Sequence, residues 1–579
     1  MEQLESARNT AYWGVRPLGR GAWHAAIYAP GRDRLWIELD GRRHALEKDA
    51  RGVHSARIEA EAGATYRFCD VSECWPDPAA RAQAGDVHAP SRLVDPDAFD
   101  WSDDGWRGRP WHEAVIYELH VGTFTEAGTF AAAAERLSDL AALGITAVEL
   151  MPVAQFAGDR GWGYDGVLPY APHPAYGTPD DLRAFVAQAH RQGLLVYMDV
   201  VYNHFGPEGA YISGIAPELF DPDRHTPWGA GLNYADPAMR AFVRDNVIMW
   251  LTEYRMDGLR LDAVHQIMDQ SEAHLLEDIA AEIRATDFGR PIHLITEDER
   301  NIPDLREAGY DATWNDDFHH AVHCALTGES FGYYAAFAED PVGDLALALE
   351  RGHIEEGQPR PAGKERRGAP SAHLGPLGFV NSVQTHDQVG NRAQGDRLLT
   401  LAPEEGVRVA LALLLLSPFV PMLFMGEEVG ETAPFQFFAG FGGELGQAVQ
   451  KGRAEEFAHS EAFAGDDVPD PIAPETFRAS RPFQGDPARQ EEWRGFVRKL
   501  LELRRDVVVP LLASGVWTGR QARRTGPRAI AAEWRFPAGG YGIDLSLGDA
   551  TGAAEGAGAV LYRIGTLGND AFALTLRRL

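Results

Sequence analysis

Short apolar runs rich in β-branched residues alternate with amphipathic stretches through the middle of this chain, and the alternation completes eight cycles. The runs are Val115–Leu119, Thr146–Leu150, Leu194–Met198, Gly258–Leu261, Ile292–Thr296, Ala312–Trp314, Phe379–Val383 and Val420–Phe424. Helical patterns fill most of the intervals, for example Phe130–Leu143 and Asp180–Gln192. Strands alternating with helices mark parallel α/β units. Eight of them are what a closed (β/α)8 TIM barrel needs, so the expected fold class is α/β. Six polar segments ride on this frame: Trp162-Gly-Tyr-Asp165, Asp199-Val-Val-Tyr-Asn-His204, Gly258-Leu-Arg-Leu-Asp262, Leu294-Ile-Thr-Glu297, Asp316-Asp-Phe-His-His320 and Gln384-Thr-His-Asp387. Four of them follow or end an apolar run. Their carboxylates therefore fall at the carboxyl ends of strands, where such a barrel builds its active site. A carboxylate in a strand end is costly unless it has a task or a partner.

The barrel does not account for the whole chain. At 579 residues the sequence is too long for one core. Residues 1–100 read as an amino-terminal β-sandwich, with short strands at Ala25–Ala29, Leu35–Leu39 and Thr65–Phe68 and a hairpin signal at Asp40-Gly41. A linker rich in Pro, Asp and Trp follows from Asp86 to Pro110. Residues 101–507 make the barrel domain, whose last helix is expected over Arg489–Arg504. Residues 508–579 return to short strands and Gly turns, a carboxy-terminal all-β domain. Two excursions interrupt the repeat, at 206–237 and 333–377, and long loops on an active face shape access to it.

The net charge of −31, from 54 basic and 85 acidic residues, argues against nucleic acid or an anionic membrane as partner. A neutral ligand is not penalised by that field. Three cysteines, Cys69, Cys74 and Cys324, are too few for a disulfide framework, and no second Cys pair suggests zinc; they read as three buried or half-buried thiols. No signal peptide is visible at the start. The apolar stretch Val409–Met425 is short for a spanning helix and contains Pro418 and Pro421; a helix ending near Ser417 and then a buried strand explain it better. The chain reads as soluble and cytoplasmic.

Several carboxylates converging on one barrel mouth suggest glycosidic bond chemistry, which needs paired carboxyl groups. Asp262 is the candidate nucleophile. Arg260 lies two residues earlier on the same strand, so both side chains share a face, and a guanidinium there favours a charged carboxylate. Glu297 is the candidate acid/base, crowded by Asp262 and by Asp387. Asp387 would hold sugar hydroxyls and stabilise positive charge. His204 and His386 can donate to the same sugar, Tyr164 offers a flat face to its ring, and Asp165 a polar contact. Asp159 and the pair Glu427-Glu428 read as framework. His319, His320 and His323 fit substrate or packing roles better than a metal.

These segments, in this order, resemble the α-amylase family of glycoside hydrolases along about the whole chain. The four best-known regions of that family match Asp199–His204, Gly258–Asp262, Leu294–Glu297 and His386-Asp387. The resemblance carries nucleophile, acid/base and transition-state stabiliser onto Asp262, Glu297 and Asp387. Further strings are similar to a trehalose-releasing branch of the family: Tyr117–Phe124, Glu149–Val153, Tyr202–Gly209, Leu261–His265, Trp314–His320, His386–Asn391 and Leu423–Glu428. The first is shared with glycogen branching enzymes, and Trp314-Asn-Asp-Asp-Phe-His-His320 discriminates most. The similarity implies hydrolysis of the α-1,4 bond beside the terminal trehalose of maltooligosyltrehalose, with a maltooligosyltrehalose synthase as functional partner. It also implies substrate contacts at His265, Asp316, Asp317, His319, His320, Gln388 and Asn391, and a carbohydrate-binding-module-like sandwich. No cofactor is implied, and no calcium site of the family is readable. Gly161, Thr385 and Val429 depart from the expected Asn, Asn and aromatic residue, and bear on substrate preference rather than on the reaction.

Overall fold

The computed structural model describes residues 12–101, 105–226, 229–359, 366–458 and 468–579. The first eight residues, on which the reading of the amino terminus rests, lie outside them. So does 360–365, within the second excursion.

All eight expected strands form and close one parallel barrel in chain order: β1 Ile116–Leu119, β2 Ala147–Leu150, β3 Leu195–Val200, β4 Gly258–Leu261, β5 His293–Thr296, β6 Ala312–Trp314, β7 Phe379–Ser382 and β8 Val420–Phe424. The ring is completed by β8 pairing back on β1. Side chains alternate along a strand, so one set points inward. At the amino ends that inward set is apolar, with Ile116, Ala147, Tyr197, Ile295, Trp314, Val380 and Met422 in one cluster. Two residues further along stand Glu118, Glu149 and Asp199 within their strands, and Glu297 and Asp316 just past the ends of β5 and β6, the latter opening the helix Asp316–Thr327. The alternation thus stacks an acidic layer on an apolar plug. Gly258 is needed where β4 meets β5, because a Cβ there would sit 2.3 Å from the carbonyl oxygen of His293.

The amino-terminal segment forms two antiparallel sheets. One orders Gly14–Gly19, Ala22–Tyr28, Val53–Glu59 and Glu47–Lys48; the other orders Arg42–Ala45, Trp36–Leu39, Thr65–Cys69 and Cys74–Trp75, with Ser91–Arg92 alongside. The reading of three free thiols is corrected here. Cys69 and Cys74 stand directly opposite each other in a tight hairpin, with Cα atoms 4.0 Å apart, and are joined by a disulfide; only Cys324 is a free, buried thiol. The sandwich is docked on the helix Pro237–Thr252, where the Trp13 indole donates to the Ala238 carbonyl at 2.9 Å and Arg16 pairs with Asp245 at 2.7 Å.

At the other end, a five-stranded antiparallel sheet (Gly519–Gly526, Ala529–Phe536, Gly539–Leu547, Ala559–Ile564, Phe572–Arg578) packs on the helix Pro341–Arg351, with the Trp534 indole donating to the Leu349 carbonyl at 3.0 Å. The last barrel helix starts at Pro487, and the chain stays helical through a π turn at Arg504–Val508 to Ala513. The expected end at Arg504 is overrun because Arg504 is buried and donates to the carbonyls of Leu415, Ser417 and Phe419. These are terminal groups of the helix Glu404–Leu416 and its connection to β8, otherwise left without donors. No described helix is long and apolar enough to cross a membrane.

Candidate active site

Arg260 organises the acidic layer. It is 1% exposed, and its Nη1 donates to both oxygens of Asp199 (2.9 and 2.8 Å) and to Asp262 Oδ1 (2.9 Å). Its Nη2 reaches Glu297 Oε2 at 2.8 Å. Burial opposes the charge, but the carboxylates of Asp199, Glu297 and Asp262 outweigh it and hold the guanidinium well above its usual range. The Trp314 ring covers its face. Asn203 donates to Asp262 Oδ2 at 2.8 Å, so both oxygens of that carboxylate are oriented. Glu297 Oε2 also accepts the backbone N–H of Ala263 at 2.9 Å. Ala263 sits in the left-handed region with φ 40°, a strained conformation for alanine that turns the chain just beyond Asp262.

Around this centre, Tyr164 donates to Asp199 Oδ2 at 2.7 Å and stacks on His386, with centroids 5.0 Å apart. His386 is gripped through Nδ1 (2.5 Å) and its backbone N–H (3.1 Å) by Glu118 of β1. Burial pulls the His386 pKa down, and the Glu118 carboxylate lifts it above its usual value. His204 is turned by Asn203 and by the Tyr164 carbonyl, 2.9 Å from its Nε2; burial lowers its pKa to about 4, which leaves it neutral. Asp387 opens the helix His386–Gly390 and accepts from Asn391 Nδ2 at 2.8 Å; burial raises its pKa. Asp316 accepts from Gln388 Nε2 at 3.1 Å, and burial with the charges of Glu297 and Asp387 raises it to about 7. Asp165 is raised to about 6 by burial.

The remaining sequence candidates are placed differently. Asp317 is fully buried and accepts from Asn301, the backbone of Ile354 and Glu355, and Arg367. His319 uses both ring nitrogens on the protein, with the Val383 carbonyl at 2.9 Å and Tyr334 Oη at 3.0 Å. The polar atoms of both side chains are thus engaged by the protein itself. His265 lies on the turn after β4, 3.4 Å from Glu299. His320 packs on Tyr333 and, with it, lines a cavity of about 620 Å³ that also takes in Glu299, Arg300 and Arg367. Of the departures, the Gly161 carbonyl accepts from His120 at 2.9 Å, Thr385 caps the helix that carries Asp387, and Val429 is buried. Glu427 and Glu428 are tied to Gln384, Tyr117 and the backbone, a framework role.

Sequence reasoning passed over Asn203, Glu118, Glu149 and Tyr333. For Glu118 and Glu149 the signal was present: each is a lone acid inside an otherwise apolar strand. Glu149 is buried with no hydrogen-bond partner on either oxygen, and burial beside Asp199 and Glu118 raises its pKa well above the usual range.

A closed (β/α)8 barrel with an arginine-bridged carboxylate pair at the carboxyl ends of its strands defines a glycoside hydrolase of the α-amylase type. Residues 94–221 match the family model for the alpha amylase catalytic domain. Malto-oligosyltrehalose trehalohydrolase from Deinococcus radiodurans is 44% identical over 484 residues, covering 81% of this chain and 78% of that protein. The enzyme of the same name from Rhizobium sp. (strain M-11) is 45% identical over 516 residues, 84% and 85% of the two chains. The 1.4 Å crystal structure of a Salmonella typhimurium protein provisionally named as an alpha amylase superposes with a TM-score of 0.94 at 45% identity, covering 98% of this chain and 99% of that one. This chain belongs to the malto-oligosyltrehalose trehalohydrolase family.

Proposed function

We propose that the protein hydrolyses, with retention, the α-1,4-glucosidic bond next to the terminal trehalose of maltooligosyltrehalose, releasing trehalose and a shortened maltooligosaccharide. The observation that carries this reading is the single guanidinium of Arg260 bridging Asp262 and Glu297. Two carboxyl groups this closely yoked suit a nucleophile and an acid/base acting on one anomeric carbon, which retention places about 5–5.5 Å apart. Glu297 gives its proton to the glycosidic oxygen, and trehalose leaves as the alcohol. The Asp262 carboxylate forms the bond to the anomeric carbon, giving a covalent glycosyl-enzyme. Glu297 then takes a proton from water, whose oxygen attacks the same carbon and frees Asp262. Asp387, with Asn391 holding one of its oxygens, faces the positive charge that builds on the sugar ring. His204, His386 and Tyr164 form the donor and stacking wall for that sugar.

The cavity walled by Tyr333, His320 and Arg367 lies beside the Glu297 loop, where the departing disaccharide would sit. The substrate requires a prior reaction that turns the reducing end of an α-1,4-glucan into a 1,1-linked disaccharide. A maltooligosyltrehalose synthase performs that class of step, and we place the pair in the cytoplasm, in trehalose biosynthesis. Incubation with maltooligosyltrehalose and with the plain maltooligosaccharide, followed by assay of free trehalose and of glucan products, tests the reading. Trehalose from the first alone supports it; cleavage of both without trehalose overturns it.

A further inference from the structure

A cleft of about 920 Å³ opens between the amino-terminal sandwich and the loop after β3. Its walls come from three parts of the chain. Glu73 and Trp75 belong to the sandwich, His88 to the linker, and Phe205, Tyr211 and Phe220 to the loop. Its volume lies toward the top of the range typical of ligand pockets.

The cleft is built rather than left over. The Arg32 guanidinium lies over the Trp75 ring at 5.1 Å and donates to the Gly214 carbonyl at 2.8 Å, which ties the sandwich to the loop. His88 Nδ1 and Tyr211 Oη are 2.8 Å apart, and His88 Nε2 reaches Glu208 at 3.4 Å. Gly209 has φ 92°, and a Cβ there would lie 2.6 Å from the Val87 side chain, so only glycine lets loop and linker meet. The cleft also adjoins the catalytic centre. His204 lines it, and the same imidazole accepts its orientation from Tyr164 and Asn203. Gly206, next in the wall, packs so closely on Asp165 that a Cβ would sit 2.0 Å from the Asp165 carbonyl oxygen.

The chemistry of the walls suits a neutral polyol. Aromatic faces from Phe205, Tyr211 and Phe220 match the C–H faces of glucose rings. Glu73, His88 and Ser213 can exchange hydrogen bonds with hydroxyls. Glu73 in the wall and Glu208 paired with His88, on a chain of net charge −31, disfavour anions such as phosphorylated sugars or nucleic acid.

We propose that this cleft binds a stretch of α-1,4-linked glucan in addition to the sugars at the scissile bond, so that the sandwich takes part in substrate binding. The proposal rests on the glucan reading above. The glucan is either the far part of the substrate's own chain or a second chain, and the two arms of the experiment separate these.

Ser213 is exposed on the cleft wall, so Ser213→Trp fills the cleft at the loss of one local bond, from Ser213 Oγ to the Ala210 carbonyl at 3.1 Å; Tyr211→Ala removes a stacking face, and Tyr211→Phe keeps it while losing the bond to His88. In the first arm, kcat and KM are measured on trehalose-capped chains of two and of seven further glucose units. Occupation by the substrate's own chain predicts that Ser213→Trp and Tyr211→Ala lower kcat/KM on the long substrate by roughly five- to tenfold, through KM, and leave the short one unchanged, while Tyr211→Phe behaves as the parent. In the second arm, calorimetry of maltoheptaose with the full-length Asp262→Asn protein predicts, for a second chain, a binding site that Ser213→Trp abolishes. Unfolding temperatures confirm that the variants are folded. No change in either arm overturns the proposal. Absence of trehalose release by the parent protein would instead count against the substrate reading, and would leave the calorimetric arm in force.

Discussion

The guanidinium carbon of Arg260 lies 4.0 Å from the centroid of the Trp314 ring. The indole closes one face of the guanidinium, and the edge is left for Asp199, Asp262 and Glu297. A planar fork can serve all three at once, and the cation–π contact fixes its plane. A lysine ammonium at this place has the charge but neither the plane nor the reach to bridge two carboxyl groups. Arg260→Lys is therefore expected to lower kcat by about two to three orders of magnitude, the scale of losing one preorganised charge contact. The variant should also be less stable by about 3–5 kcal/mol, because buried carboxylates lose their partner. Steady-state kinetics and thermal unfolding check both; a Lys variant with full kcat would show that the bridge is only structural.

The roles of the two carboxyl groups separate by leaving group. Asp262→Asn removes the nucleophile and should cost several orders of magnitude on every substrate. Glu297→Gln should cost as much on maltooligosyltrehalose, yet regain its first step on a glycosyl fluoride, whose leaving group needs little protonation. Trapping of a covalent glycosyl adduct by mass spectrometry in Glu297→Gln, and its absence in Asp262→Asn, is the expected pattern. The reverse pattern would exchange the assignments.

Asp316 gives a pH signature. Its pKa in the folded protein is raised to about 7 by burial and by the charges of Glu297 and Asp387. An unfolded aspartate titrates near 3.9, so between about pH 4 and pH 7 the native state binds more protons than the unfolded state. Stability from this group therefore falls as pH rises across that window and is level above it. Asp316→Asn cannot ionise, and its amide oxygen can still accept from Gln388. The variant should gain in Tm relative to the parent between pH 5 and pH 8. A Tm difference that stays constant over that range would mean Asp316 is already ionised at pH 5.

The barrel was legible because its signal is local and repeated. Each strand is a short apolar run whose side chains alternate with a period of two, and Glu297 and Asp316 stand just past the ends of two such runs, at the barrel mouth. Arg260 and Asp262 could be put on one face for the same reason. What the sequence did not show depends on contacts between distant segments. Glu118 reads as one more residue of β1 until His386, 268 positions later, is seen to be held by it. Asp317 and His319 lie in the most distinctive string of the chain, yet their polar atoms face Asn301, Arg367, Val383 and Tyr334, all supplied by other elements. The Cys69–Cys74 disulfide was hidden because cysteine counting looks for frameworks, whereas this bond follows from a hairpin register.

Selectivity for the trehalose-capped end is expected to rest on Tyr333 rather than on those two buried side chains. Tyr333 is 43% exposed, an unusual state for a tyrosine whose ring packs on His320 and Tyr334 with centroids 4.8 and 4.5 Å away. It lines the cavity beside the Glu297 loop. Although part of the side chain is exposed, desolvation by the surrounding protein, with the charges of Asp387 and Asp316, raises its pKa and keeps the phenol protonated as a donor. Trehalose and maltose differ in where their hydroxyls point, so a wall that satisfies one leaves groups unpaired with the other, at about 1–3 kcal/mol each. Tyr333→Ala should lower the ratio of kcat/KM on capped over plain chains by roughly five- to a hundredfold while slowing cleavage of the plain chain little. Tyr333→Phe, which keeps the ring and loses the hydroxyl, should fall between the two. The control is the unmodified protein: equal kcat/KM on capped and plain chains would falsify the selectivity reading and return the enzyme to a general amylase or debranching activity.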